Sequence, residues 1–274
     1  MRTIYLILTV VFATLMLHSC DIIEGNPYEL GDIGDPNDTA SVDATKRVLL
    51  IEFTGFKCTN CPEAHYQINL LKVTYGNRLL PVAIHAGTFA RPTQSLPYDY
   101  RTPFGTALHN HILPNSYPIG LVSSLSSSNQ SSATDWAGQV EESLKVSTSL
   151  TVEIENSVVN SDIKTNIKIK NIKPEIAYND LKLFTLLLED SVVGAQLFPG
   201  GTTVNDYVHN HMLRHGFTTS HLGDNFVFNN QNEFDTVYSV SIDEKWRVNK
   251  LSVVVFVTNS DDDVLQTNYK NIEQ

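Results

Sequence analysis

Read as a pattern of apolar periods, this 274-residue sequence specifies an α/β domain followed by an all-β sandwich. Three observations carry that reading. Apolar runs of strand length at 47–53 and 79–85, each suited to a strand buried on both faces of a sheet, bracket a segment of helical period. A second helix-periodic segment, 133–146, sets Trp136, Val140 and Leu144 on one face. From Leu150 onward the apolar period switches to two and stays there.

Composition narrows the function classes. With 42% hydrophobic and 18% charged residues the chain is ordinary for a globular protein, which excludes disorder throughout and leaves room for about two domains. Nineteen basic and 30 acidic residues give 19 − 30 = −11, so nothing over the whole chain attracts a phosphate backbone and no nucleic-acid partner is expected. Three cysteines, Cys20, Cys58 and Cys61, are too few for a disulfide scaffold, so each is read individually.

Residues 1–19 carry Arg2 and then the apolar run IYLILTVVFATLML, too short to span a bilayer comfortably, ending at small Ser19. That is the layout of a secretory signal peptide. Leu17-His18-Ser19-Cys20 resembles a bacterial lipobox, which implies cleavage before Cys20 and a diacylglycerol on its sulfur. The mature chain then has 274 − 19 = 255 residues and, without Arg2, a charge of −11 − 1 = −12. Two or three acyl chains on one cysteine suffice for a stable anchor, so membrane attachment through Cys20 is expected. Residues 20–45, rich in Asp, Gly, Asn and Pro and without sustained apolar period, read as the lipidated cysteine and a flexible tether.

The first folded domain, 46–148, is organised around Cys58-Thr59-Asn60-Cys61-Pro62. This segment follows the strand RVLLIEF and precedes a helical pattern in which Ala64, Ile68, Leu71 and Tyr75 recur on one face. Pro62 suits a first helical turn, where amide hydrogens have no intrahelical partner. A thiolate at such a helix start is stabilised by the helix dipole, and Lys57 adds a neighbouring cation. Cys58 is therefore read as the nucleophile and Cys61 as the resolving cysteine. Glu52, an acid inside an otherwise apolar strand, is the anomaly of this region.

The run IEFTGFKCTNCP resembles the thioredoxin motif of strand, aromatic residue, CxxC and helix. The resemblance implies that Glu52, six residues before the first cysteine, shuttles a proton for Cys61. It also implies that SYPIGLV carries a cis-proline at Tyr117–Pro118 opposite the cysteines, where Pro118 assists substrate docking. Lys57 stands where that motif usually has tryptophan. Over nearly the whole mature chain, the lipobox, VLLIEFTGFKCTNCPEAH, YPIGLV, DYVHNHMLRHG and VVVFVTNSDDDVLQ are together similar to the outer-membrane-protein-28-related lipoproteins of Gram-negative bacteria. That resemblance implies an outer-membrane location, on the periplasmic face or the cell surface, and names no reaction.

In the second domain, 149–274, Leu150, Val152 and Ile154 alternate with Thr151, Glu153 and Glu155, and Ile163, Ile167 and Ile169 alternate with lysines. Further strands at 181–188, 236–242, 251–258 and 264–269 are read as continuing this half-buried series, so an antiparallel sandwich of immunoglobulin-like type is predicted. Asp261, Asp262 and Asp263 lack a calcium loop and read as a solvated turn. His209, His211, His215 and His221 cluster in one segment. His211 and His215 would share a helical face as metal ligands do, whereas His209 and His211 would share a face of a strand. A soft-metal site of Cys58 and Cys61 with His65 or His85 is a minor alternative, and no cofactor or metal is expected.

Two function classes remain. One is a thiol–disulfide oxidoreductase of the envelope working through Cys58, Cys61, Glu52 and Pro118. The other is a non-catalytic adhesin, scaffold or receptor component with a structural Cys58–Cys61 bond. In either case the expected partner is an envelope or surface protein. Exposure of Cys58 beside Tyr117–Pro118 discriminates between them, because exchange needs access and a staple does not.

Overall fold

In the computed structural model, which describes residues 44–273, the run VLLIEFT forms β1 (Val48–Thr54), and the chain returns through α1 (Cys61–Tyr75) to β2 (Leu79–His85). β1 and β2 pair in parallel from Val48↔Leu79 to Thr54↔His85, and every residue of both strands is buried, as expected for apolar runs covered on two faces. Pro62 lies in the first turn of α1 and Gly76, at φ 55°, ends the helix. Next comes α2 (Pro103–Ile112), capped by the Thr102 hydroxyl accepting from the Gly105 amide at 2.9 Å. Strand β3 (Ile119–Val122) then pairs antiparallel to β1, and α3 (Ala133–Lys145) follows. α1 and α3 cover one face, packing Ala64, Ile68, Trp136 and Val140 on Val48, Leu50 and Leu79. α2 covers the other face, where Leu108 and Ile112 meet Leu49, Ile51 and Phe53.

The remaining strands are β4 (Leu150–Val159), β5 (Asp162–Asn171), β6 (Leu181–Glu189), β7 (Val192–Leu197), β8 (Thr203–His209), β9 (Met212–Gly216), β10 (Asp224–Phe226), β11 (Glu233–Ser241), β12 (Leu251–Thr258) and β13 (Val264–Asn271). β4, β5 and β11 form a separate antiparallel sheet in the order β11-β5-β4, and β7–β8 is a hairpin. The other strands do not build a sheet of their own. They extend the first one into the order β13-β12-β6-β9-β2-β1-β3, with β10 beside β6. The join is the parallel pairing Ala83↔Met212, closed by the Ala83 amide donating to the His211 carbonyl at 2.8 Å.

The junction expected near residue 148 is thus not a seam between two sheets. Residues on both sides of it share one core, in which Ile51, Val82 and Ile84 join Leu186, Leu188, Leu213 and Phe256. The physical reason lies in β6 and β12. LKLFTLLLE and LSVVVFVT are buried along almost their whole length rather than on alternate residues, so both faces must be covered. Leu183, Leu187, Val253 and Val255 meet β4 and β5 on one side, while Leu186, Leu188, Val254 and Phe256 enter the shared core on the other. Among the described residues no helix is long and apolar enough to cross a membrane. The expected signal peptide, Cys20 and all but the last two residues of the expected tether at 20–45 lie outside the described residues.

Candidate functional site

Cys58 and Cys61 are bonded to each other, with Cα atoms 5.4 Å apart. The helix proper begins at Cys61 with Asn60 as N-cap, so Cys58 sits in the preceding turn, its amide donating to the Gly55 carbonyl at 2.8 Å. Gly55 is required there, because a Cβ would collide with the backbone of Phe89 and Ala90. Lys57 places its Nζ over the Phe56 ring at 6.0 Å. The Tyr117–Pro118 bond is cis, and the Tyr117 ring packs on Phe89 and bonds His109 through its hydroxyl. Burial pushes the Tyr117 phenol up to about 12.

Access to the pair is narrow. Cys58 is 2% exposed and Cys61 fully buried. The β7–β8 hairpin lies against the CxxC loop: the Leu197 amide donates to the Phe56 carbonyl at 2.8 Å, and Gln196 Nε2 donates to the Cys58 carbonyl at 2.9 Å.

Behind the disulfide, on the face of β1 that α1 covers, lies a buried polar group. The Glu52 side chain is fully buried and neither carboxylate oxygen has a hydrogen-bond partner. His65, one turn after Cys61, stands beside it with Nε2 at 3.4 Å from Oε1. His65 Nε2 also stands 3.0 Å from Thr54 Oγ1, and Nδ1 stands 2.7 Å from the Tyr207 hydroxyl. Two further imidazoles, His85 and His209, face each other with ring centroids 5.3 Å apart, and each keeps an unpartnered Nδ1. Burial holds His85 well below the usual histidine range, reinforced by His209 and His65, and lowers His209 to about 3. Both are neutral. These side chains line a small cavity of about 30 Å³.

Structure thus brings the predicted Cys58, Cys61 and Glu52 to one end of α1, and gives Pro118 the cis bond. It adds Tyr207, His209 and Gln196, which the sequence reading assigned no part at this site. For Tyr207 and His209 the readable signal is the period of two in DYVH, which sets both on one face of β8; Gln196, on β7, carries no such signal. The histidine segment is strand, turn and strand, with His211 at φ 54° between β8 and β9, so His211 and His215 share no helical face. His211 instead bonds Asp190, at 3.1 Å from its Nδ1. Among the described residues no group of three or more His, Cys, Asp or Glu side chains is placed to hold a metal ion. Sulfurs committed to a disulfide are poor ligands, so the Cys58, Cys61 and His65 or His85 alternative lacks its donors. Asp261 to Asp263 lie in a turn after β12, where the Asn259 side-chain oxygen accepts from the Asp261 and Asp263 amides.

Residues 106–274, more than half of the chain, match the family model described as outer membrane protein Omp28. The chain belongs to the Omp28 family. The span that carries the Omp28 match begins within α2, so Cys58 and Cys61 lie before it. Among solved structures the chain is similar to HBP35 of Porphyromonas gingivalis, with a TM-score of 0.67 and 15% identity over 85% of this chain and 77% of that one. A domain of the outer-membrane lipoprotein Omp28 from the same organism shares 18% identity over 46% of this chain and 89% of its own, with a TM-score of 0.35. No curated protein matches.

Proposed function

We propose that this Omp28-family protein is a lipid-anchored component of the outer membrane whose Cys58–Cys61 pair takes part in thiol–disulfide exchange in the envelope. The lipobox at Cys20 supports the anchor. Support for a thioredoxin-like site comes from the β1-α1-β2 order, the antiparallel β3 that follows cis Tyr117–Pro118, and the disulfide at the start of α1.

One observation carries the exchange reading: a fully buried Glu52 carboxylate without a hydrogen-bond partner, behind a CxxC disulfide. Leaving such a group unsatisfied costs about 1–3 kcal/mol, more if it is charged. A bond closing so short a loop restrains the unfolded chain by only about 2 kcal/mol. A staple gains little from the arrangement, whereas exchange at a buried sulfur needs a proton donor and acceptor nearby.

The burial of Cys58 favours the second reading, a structural bond in a non-catalytic scaffold or receptor component. The reduction potential separates the two. Mature protein equilibrated in graded thiol buffers, read by alkylation and mass, is expected between roughly −120 and −270 mV; a value below roughly −300 mV marks a structural bond. Replacement of Cys20 by serine is expected to move the protein out of the membrane fraction, and its retention there would remove the lipid-anchor reading.

A further inference from the structure

We infer that His65 is the proton gate of this site, carrying protons between buried Glu52 and solvent, with Tyr207 of the β7–β8 hairpin holding its ring in place. The inference rests on the exchange reading above. Glu52 is fully buried, Cys61 is fully buried, and Tyr207 is 3% exposed, whereas the His65 side chain is 15% exposed while its Nε2 reaches to 3.4 Å from Glu52 Oε1. With the Tyr207 hydroxyl taken as the donor to Nδ1 at 2.7 Å, Nε2 keeps its hydrogen 3.0 Å from Thr54 Oγ1, beside Glu52. The titratable groups facing His65 are Glu52 on β1, His85 on β2, Tyr207 and His209 on β8, and His211 in the turn after β8. Burial lowers His85 and His209, and neither is placed as His65 is, with one edge at the surface and Nε2 at 3.4 Å from Glu52 Oε1.

The chemistry balances as follows. A thiolate of a substrate dithiol attacks Cys58 Sγ, the Cys58–Cys61 bond breaks, and Cys61 departs as a thiolate into buried surroundings. That thiolate takes the proton of the Glu52 carboxyl, and His65 restores the proton to Glu52 from solvent. The second substrate thiol, losing its own proton to solvent, attacks the mixed disulfide and releases Cys58 as a thiolate. Two electrons pass from the dithiol to the protein, and the substrate leaves as a disulfide.

The test measures reduction of the oxidised, full mature protein by dithiothreitol from pH 5 to pH 9, read by alkylation and mass. His65→Gln is expected to slow reduction at least ~10-fold at pH 7, flatten the pH profile, and recover when imidazole is added. Tyr207→Phe, which keeps the ring and its packing, is expected to slow it several-fold with a displaced profile, and carries the test if His65→Gln does not fold. Unchanged rates and profiles in folded variants overturn the gate while leaving the exchange reading intact. A reduction potential in the structural range overturns the exchange reading itself.

Discussion

Between β4–β5 and β6–β12 the packed side chains are Leu, Ile, Val and Phe, and the polar groups nearby are mostly bonded: Asn268 Nδ2 donates to the Val152 carbonyl at 2.6 Å and Gln266 Nε2 to the Leu150 carbonyl at 3.2 Å. Under the first turns of α1, in contrast, Glu52, His85 and His209 are buried with unpartnered oxygens and ring nitrogens. The first region is what a chain does to stay folded, since each large apolar side chain removed from water contributes about 1.5–3 kcal/mol. The second lowers stability, and stability alone does not explain it. The difference singles out the disulfide end of the long sheet as the place where the proposed exchange is to be tested.

The largest effect should come from cutting into the core that both halves share. Phe256 stacks on Phe184 with centroids 4.6 Å apart and is fully buried. Phe256→Ala is expected to lower stability by about 3–5 kcal/mol. Near-UV and far-UV signals should still fall in one coincident urea transition, because Phe256 touches the core that joins β1–β2 to β6–β12. Two separated transitions would show that the halves are independent, and the contrast between them would then be one between two domains.

Acid is the next probe. His209 in the folded protein is lowered to about 3, against an unfolded value near 6.5. Above pH 6.5 both states are neutral and the full stability is present. Below it the unfolded chain binds a proton that the folded chain refuses, so stability falls as pH drops toward 3, by about 1.4 kcal/mol per pH unit. His85 adds a slope of the same sign. His209→Leu should remove one such increment from a plot of urea midpoint against pH. An unaltered slope would mean that His209 is not held neutral by burial.

Two smaller effects test the polar region from within. Glu52→Leu removes the unpartnered carboxylate, and the urea midpoint is expected to rise by an amount corresponding to about 1–3 kcal/mol while reduction by dithiothreitol slows. A loss of stability with unchanged exchange would assign Glu52 to the fold instead. Gln196→Ala deletes the contact of the hairpin with the Cys58 carbonyl. It should cost about 0.5–1.5 kcal/mol and speed alkylation of reduced Cys58 several-fold, as measured by mass. No acceleration would mean that the hairpin does not control access.

Local patterns carried much of this protein. The β1-α1-β2 unit was legible because apolar runs and helical period are one-dimensional signals, and the cysteine pair because its spacing closes within a single turn. The alternation in β4 and β5 likewise announced a half-buried sheet. β6 and β12 differ from the half-buried series predicted for them: their continuous apolar runs carry the same signal as β1 and β2, and burial on both faces puts them in the shared sheet.

Residue order was enough to specify β1, β2, β4 to β6 and β11 to β13 as strands, the helix that starts at the cysteines, the cysteine pair and the anomaly of an acid at Glu52, while β3 and β7 to β10 went unpredicted. Which distant segments meet was settled only by packing. Nothing along the chain required β9 to pair beside β2, the β7–β8 hairpin to close over Cys58, or Tyr207 to reach His65 from 142 residues away. Period and propensity describe neighbours along the chain. Burying both faces of β6 and β12 at once is a demand of the whole molecule, and meeting it brings the hairpin onto the disulfide.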